Sequence, residues 1–475
     1  MQMPQPALTP NRRAVLPHPD GRARLRRASS ADLVAAHIRQ AIIAGDLRPG
    51  ERLRQDDIAD DLGVSRIPVR EAIIALDREG WLTLESNRGA YVAALETDDV
   101  RDHYELRGLV LGLVARRATA VATVPEIDAL ARRHRTMRDA PDLATFASLN
   151  DRFLGTLLGI ADSPRLTAAL LVTPSIIQRG FFEVVGGARR IQQEGLTPLL
   201  RAMSVRAEVD ADGAMRAVLG RHGDAVITAF AAAGLLGPHR SRPVTADAHR
   251  AAPGSAETRA EAVARHVRRL VFDGRLRPGQ RLPQDDIARA VGVSRIPVRE
   301  AIIALEREGW LRVEPHRGTF VNALDERAIT DRFALYGRFF GFAARRAVDR
   351  MTATDLEDLA ARAAGLDRVN RASAVERAND AYLTRLIQLA ASSRLRTVLR
   401  SIAQVVPGNF FTAVPASIPV QKRGIAALHA AVEARDAEAA ERACGAMEDE
   451  HAAAVIDMIA SRERARRPGS SVTRS

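Results

Sequence analysis

Arg66 and Arg70 stand one helical turn apart in the run Ser65-Arg66-Ile67-Pro68-Val69-Arg70-Glu71-Ala72, and a guanidinium can donate two parallel hydrogen bonds to the N7 and O6 edge of guanine. Ser65 is placed to cap a helix there, and the first backbone N–H groups of that helix can hold a phosphate. Arg88-Gly89, further along, is a second basic point that can reach phosphate or the minor groove. The same set returns as Ser294, Arg295, Arg299, Arg317 and Gly318. This is hydrogen bonding directed at a polyanion rather than bond-breaking chemistry. No glycine-rich phosphate loop, histidine pair four residues apart or nucleophile elbow occurs, which speaks against an enzyme. The carboxylates Asp98, Asp99, Glu433 and Asp436 fall on helical faces and read as solvated charge.

Short apolar patterns supply the elements that must position these arginines. Leu33, Val34, Ile38, Ala41 and Ile42 recur at helical spacing up to Gly45. A second, short helix runs from about Asp56 to Leu62, Gly63 supplies a tight turn, and Ser65 opens a third helix whose first turn tolerates Pro68. Val69, Ala72, Ile73 and Leu76 form its packing stripe, with Arg66 and Arg70 beside the stripe at the N-terminal end. Trp81 to Glu85 and Ala90 to Ala93 read as two strands of a hairpin. Three helices and a basic-tipped hairpin make a winged helix-turn-helix, whose third helix, presented end-on, fits the DNA major groove.

The unit is duplicated. Ser65 to Leu76 returns unchanged at Ser294 to Leu305, an offset of 229 residues (294 − 65). Gln55 to Ala59 returns at Gln284 to Ala288, Asn150-Asp151 at Asn379-Asp380, and Phe181-Phe182 at Phe410-Phe411. Register kept over such a distance marks a repeated domain pair rather than a chance motif. The predicted order is a disordered basic arm (1–29), a winged unit (30–95), an all-α domain (96–235), a linker rich in Pro and Gly (236–257), a second winged unit (258–324), a second all-α domain (325–462) and a disordered tail (463–475). The fold class is mainly α, with two winged helix-turn-helix domains, each followed by a helical bundle.

A net charge of +12 attracts polyanions, nucleic acid first. Lys422 is the single lysine, so a general preference for arginine accounts for part of that charge equally well. Cys444, the one cysteine, excludes a disulfide within the chain and a cysteine-based zinc cluster, and is expected to pack as a small apolar residue. There is no apolar run of membrane-spanning length and no secretory leader, so no membrane partner and a cytoplasmic location are expected.

The stretch from Leu62 to Ala72, followed by Arg-Glu-Gly-Trp ending at Trp81 and by Asn-Arg-Gly-Ala-Tyr-Val ending at Val92, resembles the DNA-binding domain of GntR-family bacterial regulators. The helical region after each winged unit resembles the ligand-binding domain of the FadR-like branch, the FCD type. The resemblance covers roughly residues 30–235 and 258–462 and implies operator contacts by Ser65, Arg66, Arg70, Arg88 and Gly89, with Ser294, Arg295, Arg299, Arg317 and Gly318 as the second set. Many members carry an arginine where this chain has Asp56 and Asp285, so that contact is missing here.

Many FCD-type domains bind a metal through an Asp or Asn and three histidines. Here Asn150 is followed by Leu154, Leu196 and Val218, and Asn379 by Leu383, Ile425 and Met447. Apolar side chains cannot ligate a metal, so no metal and no cofactor is expected. His222 and His451 match across the repeat and, lacking partner histidines, read as surface or capping residues. Arg107 resembles a pocket arginine of the family and can hold a carboxylate bidentately, while its counterpart is Tyr336. Arg107, Tyr336, Asn150 and Asn379 are therefore the candidates for contact with an organic acid-like effector, with one copy sensing and the other supporting. Members act as homodimers on near-palindromic operators. The resemblance thus implies an effector-responsive repressor of a double-stranded DNA operator in which one chain forms a pseudo-dimer. A further homodimer of chains and a non-sensing architectural DNA-binding or scaffold protein stand as alternatives.

Overall fold

The computed structural model describes residues 30–78, 81–85, 88–173, 177, 181–237, 258–307, 309–314, 317–322, 326–390, 392, 395, 398–399 and 410–466. The expected basic arm, the linker from 238 onward, the tail beyond 466 and the hairpin tips at 86–87 and 315–316 lie outside the described residues.

The first winged unit comprises α1 (Ser30–Ala44), β1 (Arg52–Leu53), α2 (Gln55–Leu62), α3 (Arg66–Arg78), β2 (Leu82–Glu85) and β3 (Gly89–Val92). Val34, Ile38 and Ile42 of α1 pack with Val69, Ala72, Ile73 and Leu76 of α3, all buried, whereas Leu33 is exposed. Gly63 closes α2 in the left-handed region (φ 61°), and its N–H returns to the carbonyls of Ala59 and Asp60. Asp56 and Asp57 occupy the first turn of α2, where the helix dipole favours negative charge. The hairpin register sets Leu82 opposite Val92 and Glu85 opposite Gly89. β1, which the sequence pattern did not announce, adds a third antiparallel strand through Arg52 opposite Tyr91.

A bundle follows: α4 (Thr97–Val121), α5 (Val124–Arg138), α6 (Leu143–Ala161), α7 (Pro164–Val172), α8 (Phe181–Val184), α9 (Ala188–Ser204) and α10 (Glu208–Ala232). Helix α4 runs through its centre against α10, and Leu109, Val110 and Val114 are buried there. Glu126 and Thr123 form a capping box that starts α5.

The second copy repeats these elements in order, except that a single bridge from Arg281 to Phe320 stands in the place of β1 and most of the counterpart of α7 lies outside the described residues. Its winged unit has α11 (Arg259–Phe272), α12 (Gln284–Val291), α13 (Arg295–Arg307), β4 (Leu311–Glu314) and β5 (Gly318–Val321). Its bundle has α14 (Glu326–Arg350), α15 (Ala353–Asp367), α16 (Ala372–Ala390), α17 (Phe410–Ala413), α18 (Ser417–Glu433) and α19 (Ala437–Arg466). Helix α19 continues past the predicted boundary at 462. Cys444 is fully buried on it.

The two halves meet along α4 and α14. Leu335, Tyr336, Phe339 and Phe342 of α14 belong to the apolar cluster of the first half. Two buried ion pairs flank this contact and are related by the duplication. Arg117 of α4 meets Asp331 of α14 at 2.8 Å, and Arg346 of α14 meets Asp102 of α4. Ser163 donates to Asp331 at 2.6 Å, and its counterpart Ser392 hydrogen-bonds Asp102. Burial pushes both carboxyls above the ordinary carboxylate range, and the facing guanidiniums pull them back.

Other contacts between the halves are not repeated. Asp98 pairs with Arg346 and Arg350, Asp212 with Arg338, Glu105 with Arg345, and Arg216 with Glu441. Asp98 is therefore an ion-pair partner across the halves and not the solvated charge the sequence suggested. Helix α7 also reaches the second winged unit, where buried Trp310 lies under Arg332 at 4.3 Å and Arg165 at 5.6 Å.

Candidate nucleic-acid interface and effector domains

Ser65, Arg66 and Arg70 are exposed at the start of α3, as are Ser294, Arg295 and Arg299 at the start of α13. The apolar stripe of each helix faces inward, so the arginines are left on the outer side. Ile67 and Ile296, next to the first arginine, are 71% and 69% exposed, whereas Val69, Ile73 and Leu76 of the first helix and Val298, Ile302 and Leu305 of the second are buried. Arg66 is engaged through Nε by Asp56 Oδ1 at 2.8 Å, and Arg295 by Asp285 Oδ1 at 3.0 Å. The aspartates noted in the sequence only as a departure thus touch the candidate arginines Arg66 and Arg295.

On the wing, Arg88 pairs with Glu85 at 3.2 Å and Arg317 with Glu314 at 2.6 Å. The Tyr91 hydroxyl donates to the Arg88 carbonyl at 3.3 Å. Gly89 and Gly318 have φ of 110° and 112°, a backbone that side chains other than glycine rarely adopt. A Cβ there would meet the guanidinium of Arg52 at 3.2 Å in the first copy and of Arg281 at 2.8 Å in the second. Arg52 and Arg281 are thus further basic groups at the wing. Sequence reasoning missed them because the strand carrying Arg52 exists only through pairing with β3.

The effector candidates are each occupied by protein partners. Arg107 is half-buried and donates to the Thr173 carbonyl at the end of α7. Its counterpart Tyr336 stacks on Phe340 with ring centroids 5.9 Å apart. Asn150 Oδ1 accepts from Gln192 Nε2 at 2.8 Å, and Asn379 Oδ1 from Gln421 Nε2 at 2.7 Å.

His222 and His451, expected at the surface or as caps, are buried instead. His222 Nε2 donates to the Ala188 carbonyl at 3.3 Å, and His451 Nε2 to Gln421 Oε1 at 2.8 Å. Each packs against phenylalanine rings, Phe181 at 5.0 Å and Phe410 at 5.5 Å. The correction has a simple cause: one N–H···O bond satisfies the single donor of a neutral imidazole, which then packs as an aromatic ring.

These residues do not fit the metal that FCD-type domains often hold. Leu196, Val218, Ile425 and Met447 are buried in apolar packing, and each Asn–Gln amide pair is already satisfied internally. Among the described residues no group of three His, Cys, Asp or Glu side chains is placed to bind a cation. A cleft of about 420 Å³ lies where the halves meet, lined by Glu96, Thr97, Asp98, Gly237 and Arg350. None of the four effector candidates lines it. No described helix is long and apolar enough to cross a membrane.

Comparison with known proteins matches residues 30–92 and 259–321 to the profile of bacterial regulatory proteins, gntR family, and residues 102–221 to the FCD domain. An uncharacterized HTH-type transcriptional regulator of Mycobacterium tuberculosis is 31% identical over 158 residues, 33% of this chain and 65% of the relative. The match thus spans just under two thirds of that protein. The Nta operon transcriptional regulator of Aminobacter aminovorans is 29% identical over 38% of this chain and 86% of its own length. The HTH-type transcriptional repressor RspR of Escherichia coli is 32% identical over 26% of this chain and 56% of its own. The matched families are regulators of transcription, not enzymes.

Proposed function

Because this chain belongs to the gntR family of bacterial regulatory proteins and carries an FCD domain, we propose that it is a sequence-specific repressor that reads both halves of one operator with a single polypeptide in the cytoplasm. The observation that carries this reading is the recurrence of exposed arginines, Arg66 and Arg70 on α3 and Arg295 and Arg299 on α13, on two helices of identical opening sequence. Two like readers joined by a pseudo-symmetric contact are what a two-fold operator requires. Ser65, Arg88, Gly89 and their counterparts Ser294, Arg317 and Gly318 would add phosphate and wing contacts. Tethering raises the effective concentration of the second reader without any new contact.

The effector is proposed to be a small organic acid held in the first helical domain, where a carboxylate would compete with the Thr173 carbonyl for Arg107. The second domain, with Tyr336 in that place, would act as support. Internal satisfaction of the Asn–Gln pairs favours one other reading, a DNA-binding protein that senses nothing.

Selection of bound sequences from a random duplex pool by the full-length chain tests the proposal. Enrichment of two similar half-sites, lost in the Arg66→Ala plus Arg295→Ala variant, is the expected result. Salt-sensitive binding to any sequence, without enrichment, would leave only the non-specific reading.

A further inference from the structure

Each helix-turn-helix carries an ion pair across its turn. Asp56, the second residue of α2, meets Arg66, the first residue of α3, and Asp285 of α12 meets Arg295 of α13 in the same way. The pairs are far out in solvent, with side chains 76% and 60% exposed in the first copy and 78% and 63% in the second. Exposed pairs contribute little to folding, so their consequence must lie in how the arginine is held.

In both copies the carboxylate takes Nε, the side edge of the guanidinium. The far end, with its two terminal nitrogens, then points away from the carboxylate. That end carries the parallel donors that fit guanine O6 and N7. An arginine fixed beforehand in one orientation loses less rotamer freedom when it binds. The aspartate also places a negative charge beside the reading helix, which weakens attraction to phosphate wherever no guanine is offered.

We infer that Asp56 and Asp285 are specificity-determining positioning residues, which orient Arg66 and Arg295 toward guanine and act against non-specific DNA. The inference rests on the proposed reading of DNA by α3 and α13. It gives the aspartates no base contact of their own.

The test uses the full-length chain and its selected operator. Wild type, Asp56→Ala plus Asp285→Ala, and Asp56→Asn plus Asp285→Asn are titrated with the operator, with the same duplex carrying 7-deazaguanine in place of guanine, and with random duplex. For wild type, removing the N7 acceptor should cost about tenfold in affinity per half-site. In the alanine variant that ratio should fall several-fold while binding to random duplex rises, with the chain still folded at the temperature of the titration. The asparagine variant, whose Oδ1 can still accept from Nε, should recover part of the guanine ratio. Unchanged guanine discrimination in the alanine variant would overturn the inference, as would loss confined to a cytosine, the base an aspartate itself would read. A wild type without base preference would remove the DNA-reading proposal and this inference with it.

Discussion

Arg117 and Asp331 meet at 2.8 Å across the contact between the halves, and the duplication carries them onto Arg346 and Asp102, which meet in the same way. An isologous contact between two identical subunits would contain one such pair twice. Here both pairs form within one chain. Arg117 and Asp331 are largely buried, so the cost of removing their charges from water is offset only while both partners are present. Arg117→Ala should destabilise the chain by about 3 kcal/mol, measured by denaturant unfolding. The apolar double variant Arg117→Met with Asp331→Leu should recover most of the loss. Equal loss in both would mean that the pair is not what holds this contact.

The unrepeated contacts make the halves unlike one another. Asp98 reaches Arg346 and Arg350, whereas the residue at its place in the second copy is Arg327. Pairing between two second halves would set Arg327 against Arg346 and Arg350, so charge favours pairing of a first half with a second. Asp98→Arg should lower stability by about 1 kcal/mol, since the site is partly open to solvent. Adding Arg350→Asp should restore it. A thermal melt that does not distinguish the single from the double variant would contradict this.

The histidines bear on pH. Burial holds both His222 and His451 down to about 4, against an ordinary value of 6.5. Below pH 6.5 the unfolded chain takes up protons that the fold refuses, so their contribution is complete above pH 6.5 and is lost as pH falls toward 4. The ceiling is on the order of 3 kcal/mol per histidine. Unfolding measured at pH 7.5 and pH 4.5 should show a shallower acid loss in His222→Gln with His451→Gln than in wild type. Parallel losses would place the acid sensitivity elsewhere.

Ile67 and Ile296 stand exposed beside Arg66 and Arg295, the arginines proposed to read DNA. On DNA, an aliphatic group at this position can meet the methyl group of thymine. Replacing the relevant thymine by uracil should weaken wild-type binding by about threefold per half-site, near the value of one buried methyl. Ile67→Ala with Ile296→Ala should be insensitive to the change. Sensitivity retained in that variant would exclude the contact.

The winged units were legible in the sequence because their information is local. Val69, Ala72, Ile73 and Leu76 give the packing stripe of α3, and Gly63 marks its preceding turn. A pseudo-dimer was expected, but the residues that join the halves were not legible, since Asp98, Asp102 and Arg117 look like ordinary helix charges until a second helix faces them. One signal was present: Asp102 and Arg117 both keep their types across the duplication, as Asp331 and Arg346. β1 was missed because two residues carry no periodicity of their own. Asp56 and Arg66 were both noticed, but their ten-residue separation hid that the turn brings them into contact. The buried histidines were misplaced because nothing local tells a hydrogen-bonded core imidazole from a surface one.

The central claim is that one chain supplies both readers of one operator. Footprinting the selected duplex with the full-length protein, with the mass of the complex measured alongside, tests it most directly. The account predicts one chain per duplex, protection of two half-sites, and loss of one half-site in Arg66→Ala and of the other in Arg295→Ala. Two chains on a duplex with two half-sites, or protection that either single variant abolishes throughout, would contradict it.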